Sequence, residues 1–266
     1  MIFSYTQISR YLSCPRSYRH RYIEGWKETE LRAQLAFGRA FESALGAYFR
    51  GKDCEAVLHE AWAEQRQAAL SYGTRDTWDR MLHQGIVLLH LFAQEGRVWV
   101  PEPEANLQLK CTRAIDEQDE FVAYVDAIGE LDGRRCIIDW KTTTARYTEE
   151  PQGLLSLDPQ LTCYSWMTGI EEVALVVFVR KSQPEIQYLR ATITQEQRSE
   201  YLELVRETIK RISAWSFPPH PGVRFPNNGC VSCPYVGLCL SDPELLKNKL
   251  FRDRGANLAW LDELSY

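Results

Sequence analysis

The chain has no excess of positive charge, no apolar run of membrane-spanning length and no histidine pair at metal-ligand spacing. Its 31 lysine and arginine residues are outnumbered by 36 aspartates and glutamates, for a net charge of −5. That balance excludes a uniformly basic nucleic-acid coat, and any contact with an anionic polymer must come from a local patch in a cleft. The apolar run Val173–Val179 is of strand length, well short of the roughly 20 residues a spanning helix needs. Met1-Ile-Phe-Ser-Tyr5 leads directly into a polar, arginine-rich stretch, unlike a signal peptide, so no membrane partner and a cytoplasmic location are expected. His59, His83 and His90 stand at no ligand spacing and read as surface or core residues.

What is present is ordinary in bulk and particular in detail. The 266 residues, 45% hydrophobic and 25% charged, suffice for one large domain or two small ones with a substantial core. Eight cysteines in a chain read as cytosolic point to metal ligands or buried thiols in preference to disulfides. The organisation expected is one domain over 1–266. Within it, residues 53–100 form a helical insertion or layer, and residues 217–245 form a cysteine-bearing loop paired with Cys14.

Along the chain, residues 3 to 24 carry helical spacing (Tyr5, Ile8, Tyr11, Leu12), opened by Ser4 as a cap and interrupted at Cys14-Pro15. Arg16, Arg19, His20 and Arg21 with Tyr18 and Tyr22 read as a solvated face with packed tyrosines, or as a basic and aromatic surface for a nucleic-acid strand. Residues 35–49 form an amphipathic helix that contains Glu42, and two further helices are expected over 54–70 and 75–94. Strands follow at 107–114, 121–128 and 136–140, a succession that indicates a mixed α/β domain. Asp158-Pro159 opens a helix bearing Gln160 and Tyr164 four apart on one face. A strand pair over 173–180 and 186–193 precedes a helix capped by Thr194 and Gln197 and running to about Trp215.

The chemistry concentrates in residues 124–143. Leu131-Asp-Gly-Arg134 supplies turn chemistry between two strands, the second ending in Asp139-Trp140-Lys141. Asp139 and Lys141, two apart, share one face of the strand, and Asp126 on the partner strand is placed to meet Asp139. An apolar run that closes on an acid and a lysine is costly unless they are paired or bind something. Two carboxylates with a lysine beside them are the minimum apparatus for metal-assisted phosphodiester hydrolysis. The acids hold a hard divalent cation, and the lysine steadies the nucleophile or the charge growing on phosphorus.

A second constellation is Cys230-x2-Cys233-x5-Cys239, in a stretch rich in Pro, Asn and Gly. Three such cysteines want a fourth ligand. Cys54, Cys111, Cys136 and Cys163 stand in apolar, periodic surroundings and read as buried thiols, which leaves Cys14 in its irregular Ser-Cys-Pro break. Four thiolates suit zinc or an iron–sulfur cluster equally well by ligand chemistry.

Asp126 followed by Asp139-Trp140-Lys141-Thr142 resembles the catalytic signature of the PD-(D/E)XK nuclease superfamily. Gln160-x3-Tyr164 resembles the Q-x-x-x-Y motif of its RecB-like branch, and Cys14 with the late cysteine triple resembles the iron–sulfur variant of that branch. Glu42 stands where the RecB-like branch has histidine, a residue type that many other members place on this helix. The resemblance implies a restriction-endonuclease-like fold: a central mixed β-sheet flanked by helices, with a cysteine-ligated cluster joining the chain ends. It further implies that Glu42, Asp126, Asp139 and the Trp140 carbonyl bind Mg²⁺ or Mn²⁺. Lys141 would steer the attacking water, Gln160 would position DNA or that water, and Tyr164 would contact the backbone or orient Lys141. Cys14, Cys230, Cys233 and Cys239 would hold a structural [4Fe–4S] cluster. The implied activity is a single-stranded DNA exonuclease of 5′→3′ polarity, with a protein partner in CRISPR adaptation, recombination or repair. Two rival classes remain: a non-catalytic DNA-binding or assembly subunit on the same scaffold, and a zinc-stapled α/β protein in which Asp139 and Lys141 are only an ion pair.

Overall fold

The computed structural model describes residues 1–220, 228–247 and 249–253; residues 221–227, within the expected cysteine-bearing loop, lie outside them. From the N-terminus run β1 (Ile2–Ser4), α1 (Tyr5–Ser13), α2 (Pro15–Tyr18), a π-helical turn at Arg19–Ile23, β2 (Trp26–Glu28), β3 (Leu31–Arg32), α3 (Ala33–Phe49), α4 (Cys54–Glu64) and β4 (Leu70–Ser71). Next come α5 (Trp78–Glu95), β5 (Val98–Trp99), α6 (Pro103–Asn106), β6 (Leu107–Ala114), β7 (Glu120–Leu131), β8 (Arg134–Thr143) and α7 (Pro159–Thr168). Then follow β9 (Glu172–Val179), β10 (Glu185–Thr192), α8 (Gln195–Ser213), α9 (Asn228–Val231), α10 (Val236–Leu240), α11 (Pro243–Leu246) and β11 (Leu250–Arg252). The residues cluster into two compact units. One takes Met1–Glu30, Ala114–Val122 and the described residues from Glu203 onward; the other takes Leu31–Arg113 and Ala123–Leu202.

In the first unit, β1 pairs in parallel with Glu120–Val122 at the start of β7, and β2 pairs antiparallel with β11. Ser4 caps α1, its hydroxyl accepting the Gln7 N–H at 3.4 Å, as the sequence suggests. The helical reading of residues 3–24 is corrected in detail. Phe3 belongs to β1, and Cys14 is extended with φ −163° because the following proline disfavours helical backbone there. Tyr18 stacks on Phe217 with ring centroids 6.0 Å apart, while Arg19 and His20 both pair with Glu24, at 2.8 and 2.7 Å. These aromatic and basic groups are thus engaged in packing and ion pairs within the unit.

The second unit is built on a mixed sheet. β7 and β8 form an antiparallel hairpin, β8 and β9 pair in parallel, β9 and β10 pair antiparallel, and β5 and β6 lie along the other edge of β7. The hairpin turn places Asp132 at φ 51° and Gly133 at φ 74°, the two positive angles of a type I′ turn that matches strand twist. Alternation divides the sheet. Ile138, Trp140, Ala174, Val176 and Phe178 point into a core shared with Phe37 and Phe41 of α3, Trp62 of α4 and Phe92 of α5. Phe41 and Phe92 both meet the Phe178 ring edge-on, at 4.7 and 5.5 Å. Trp62 is fully buried and stacks on Trp78 at 4.2 Å. Residues of the other parity, Asp139 and Lys141 among them, face α7.

The expected helix over 54–70 ends at Glu64, and the one over 75–94 begins at Trp78. Thr77 caps the latter, accepting the Arg80 N–H at 3.3 Å, so the preceding Arg75 and Asp76 are loop. His59 and His83 are exposed, and His90 pairs with Glu55. The capping box at α8 is present in both directions: Gln197 accepts from Thr194 N at 2.9 Å and Thr194 from Gln197 N at 3.2 Å. Among the described residues, no helix is long and apolar enough to cross a membrane.

Candidate active site and cysteine cluster

The hairpin register runs from Leu131–Arg134 to Ala127–Ile138, which sets Asp126 opposite Asp139. At this point backbone pairing gives way to a side chain: the Trp140 N–H donates to Asp126 Oδ2 at 2.9 Å. Asp126 is thereby held against β8. Asp139 is 1% exposed. Its Oδ2 forms an ion pair with Lys141 Nζ at 2.6 Å, but among the described residues neither carboxylate oxygen has a well-aligned hydrogen-bond donor. Glu42 enters from α3, close enough that its carboxyl feels both Asp139 and Lys141.

The electrostatics follow from this crowding. Burial pushes the Asp126 carboxyl well above the usual carboxylate range, and repulsion from Asp139 and Glu42 adds to it. Glu42 is raised by burial and by Asp139, against the lowering hydrogen bond from Gln108. Burial also raises Asp139, opposed by Lys141. For Lys141 burial pulls the other way, but the carboxylates of Asp139 and Asp126 outweigh it and hold the ammonium above the ordinary lysine value. The site is a cluster of three carboxyls short of positive charge, with one cation fixed against it.

Lys141 is also held from the α7 side. Asp158 caps that helix, accepting the N–H groups of Gln160 and Leu161 at 2.8 and 3.0 Å, and Pro159 stands at its first turn. Gln160 Oε1 accepts from Lys141 Nζ at 3.1 Å, and Gln160 Nε2 donates to the Tyr164 hydroxyl at 2.7 Å. Tyr164 is buried, and burial drives its phenol well above its ordinary value, so it stays neutral. The geometry brings together Glu42, Asp126, Asp139, Lys141, Gln160 and Tyr164, with Trp140 between the two charged positions of β8. Glu104 stands apart, paired with Arg50 at 2.8 Å.

Two contributors escaped the sequence reading. Gln108 donates to Glu42 Oε1 at 3.3 Å from a strand position with φ 52°, an uncommon angle for a residue other than glycine. Asp158, read only as a cap, also sends its field to both Asp139 and Lys141. No local pattern signals the first; the second was visible as a carboxylate two residues before Gln160.

Cys14, Cys230, Cys233 and Cys239 all belong to the first unit. Cys233 and Cys239 lie within electrostatic reach of each other and of both Cys14 and Cys230. Cys239 Sγ is 3.9 Å from His20 Nε2, whose Nδ1 contacts Glu24 at 2.7 Å; this histidine was not singled out as a neighbour of the cluster. None of the eight cysteines is in a disulfide. Burial pushes the Cys136 thiol up to about 11 and the Cys163 thiol up to about 12, in keeping with buried, inert groups. Cys54 and Cys111 are only half-buried, a correction to the expectation for those two.

As the side chains stand, no three or more of the described His, Cys, Asp and Glu residues are arranged to hold a metal ion. Each carboxyl is instead turned to a protein partner: Trp140 N–H for Asp126, Lys141 for Asp139, Gln108 for Glu42. The donor sets nevertheless fit the two groups implied. Hard oxygens, those of Asp139 buried without a well-aligned donor among the described residues, suit Mg²⁺ or Mn²⁺, and four neighbouring thiols suit a soft centre.

A family profile described as the PD-(D/E)XK nuclease superfamily matches residues 2–240. Among solved structures, a protein of Eubacterium rectale named as a candidate exonuclease is similar at 13% identity with a TM-score of 0.51, covering 82% of this chain and 83% of its own. At that identity the likeness bears on the fold alone, and it accords with a central mixed sheet flanked by helices. A second structure, that of SSO0001, is 14% identical over 89% of this chain and 95% of its own, at a TM-score of 0.35. No protein of curated function matches this chain.

Proposed function

The chain belongs to the PD-(D/E)XK nuclease superfamily, and from that premise we propose that it is a divalent-metal-dependent deoxyribonuclease that degrades single-stranded DNA from an end, with 5′→3′ polarity. The observation that carries the reading is the fixed ammonium of Lys141, held 2.6 Å from Asp139 Oδ2 and 3.1 Å from Gln160 Oε1, beside three carboxyls whose mutual repulsion calls for a cation. Glu42, Asp126, Asp139 and the Trp140 carbonyl would hold Mg²⁺ or Mn²⁺. When bound, such an ion acts as a Lewis acid on the phosphoryl oxygens and makes water a stronger nucleophile at neutral pH.

The chain's own residues do the rest. Lys141 stays charged, so its Nζ is a permanent donor toward the incoming water or the negative charge that grows on phosphorus. Gln160 fixes Nζ, and Tyr164 fixes Gln160, so the ammonium meets the reacting atoms without a search for its rotamer. Asp126 braces β8 through the Trp140 N–H and so keeps Asp139 and Lys141 in line. Part of the same proposal is that residues 1–266 act as one nuclease domain with residues 53–100 as a helical wall. Cys14, Cys230, Cys233 and Cys239 would hold a structural [4Fe–4S] cluster, and the place of work would be the cytoplasm beside a partner in CRISPR adaptation, recombination or repair.

The test is cleavage of end-labelled single- and double-stranded DNA by anaerobically purified protein with Mg²⁺ or Mn²⁺. Wild type should cleave and release products from the 5′ end. Asp139→Ala should abolish cleavage, and Lys141→Ala should reduce it by about 10²–10³-fold, the usual loss for one transition-state donor. Iron and sulfide analysis of the same sample reads the cluster: zinc without iron would replace the [4Fe–4S] assignment. No cleavage by iron-loaded wild type would sink the nuclease reading and favour a binding or assembly subunit.

A further inference from the structure

A cavity of about 670 Å³ in the second unit takes no part in the carboxylate cluster, yet it begins one residue beyond Lys141. The ends of β8 and β9 line one side, and the loop that enters α5 lines the other. Its charged lining is Arg75, Arg80, Arg180 and Lys181 against a single carboxylate, Asp76. Lys181 is itself paired with Glu185 at 2.6 Å and Arg180 with Asp76, so in a chain whose net charge is −5 the excess positive charge of the recess is that of Arg75 and Arg80.

The one acid is already engaged. Asp76 accepts from Arg180 Nη1 at 3.2 Å and from Gln34 Nε2 at 2.6 Å. Arg180 is the anchor of the recess. Its N–H donates to the Thr143 carbonyl at 2.6 Å, the Phe37 ring lies 5.2 Å from its guanidinium carbon, and the residue is 2% exposed. Among the described residues its Nε nevertheless has no hydrogen-bond partner. A buried guanidinium with an unmet donor costs free energy that an anion would recover. Arg75 and Arg80 are exposed and, among the described residues, form no ion pair. At a strand rise of about 3.3 Å per residue, Thr143 at the cavity wall sits roughly 7 Å along β8 from Lys141.

Resting on the reading of the substrate as DNA, we propose that this cavity is a phosphate-binding site that grips the substrate strand at a phosphate next to the one being cleaved. Arginine forks match the oxygens of a phosphate in pairs and carry no sequence information. The grip therefore sets the register of the backbone against Lys141 and leaves base identity unread.

The experiment is fluorescence anisotropy of labelled single-stranded oligonucleotides in EDTA, with wild type, an Arg75→Ala/Arg80→Ala double variant and Lys52→Ala as a surface control. Three oligonucleotides bear a 5′-phosphate, a 3′-phosphate or hydroxyls at both ends. The double variant should bind at least 10-fold more weakly. Its slope of log affinity against log salt should fall by about 0.7 for each phosphate that the protein no longer neutralises. In cleavage assays it should raise KM far more than it lowers kcat, and Lys52→Ala should match wild type. A loss confined to one phosphorylated end assigns the cavity to a terminal phosphate; equal losses on all three assign it to an internal one. Unchanged affinity, salt slope and KM in the double variant would overturn the proposal, as would a wild type that binds none of the three. Binding weakened by the double substitution in a protein that cleaves under no metal would sink the nuclease reading and leave the phosphate site standing.

Discussion

Asp126 tests at the scale of one residue whether the carboxyl cluster is held at a cost. Its Oδ2 must accept the Trp140 N–H, a task an amide oxygen performs equally well. Its negative charge is opposed by Asp139 and Glu42. Asp126→Asn should therefore raise the urea midpoint of protein in EDTA by an amount equivalent to about 1 kcal/mol, while cleavage falls by about 100-fold or more. A lower midpoint would mean that Lys141 already compensates the cluster. Tyr164→Phe removes the acceptor of Gln160 Nε2 and should lower kcat about 10-fold with little change in KM, because it frees Lys141 without touching substrate. Asp139, Lys141, Gln160 and Tyr164 were legible in the sequence because each pair is short-range: two apart on a strand, four apart on a helix. Gln108 was not, since it reaches Glu42 only through the packing of β6 against α3 and through an uncommon backbone angle.

At the scale of the element, the β7–β8 hairpin positions the site through its turn. Gly133 at φ 74° disfavours any side chain, so Gly133→Ala should cost about 1–2 kcal/mol, read as a lower thermal midpoint with activity retained below it. The neighbouring Asp132 accepts two hydrogen bonds from Arg97, at 2.9 and 2.7 Å, and this pairing holds its carboxyl below the usual range. A depressed folded pKa stabilises above the unfolded value, near 3.9, and the contribution is lost as pH falls through the folded value. Arg97→Ala should accordingly lower the thermal midpoint slightly at pH 7, and the gap to wild type should close as the pH drops below about 3.9. The hairpin was readable because Asp-Gly between alternating strands is a local signal. The two-residue strands β3, β4 and β5 were not, because partners brought from far along the chain define them.

At the scale of the whole molecule, the cysteines sort by surroundings. Cys230 and Cys239 are exposed, while Cys136 and Cys163 are buried. Alkylation of the metal-free protein at pH 8 should label the first pair quickly and leave the second pair intact until denaturant is added. Loading with iron and sulfide should protect Cys14, Cys230, Cys233 and Cys239 together; protection of none of them would remove the cluster from the proposal. The break before Pro15 is the local signal that sets Cys14 apart from the four cysteines in periodic surroundings, and Cys14 lies in the same unit as the late triple. The division of the chain into two units was not legible in the sequence, because one of them is assembled from three separated segments.

That discontinuity has a consequence in time. β1 needs Glu120–Val122 as its partner, and Cys14 is separated from Cys239 by 225 positions. At about 5–20 residues per second, a ribosome delivers the last of the four thiols roughly 11 to 45 s after the first. In the proposed cluster Cys14 would wait through that interval for its fellow ligands, while all of Leu31–Leu202 is delivered before Cys230.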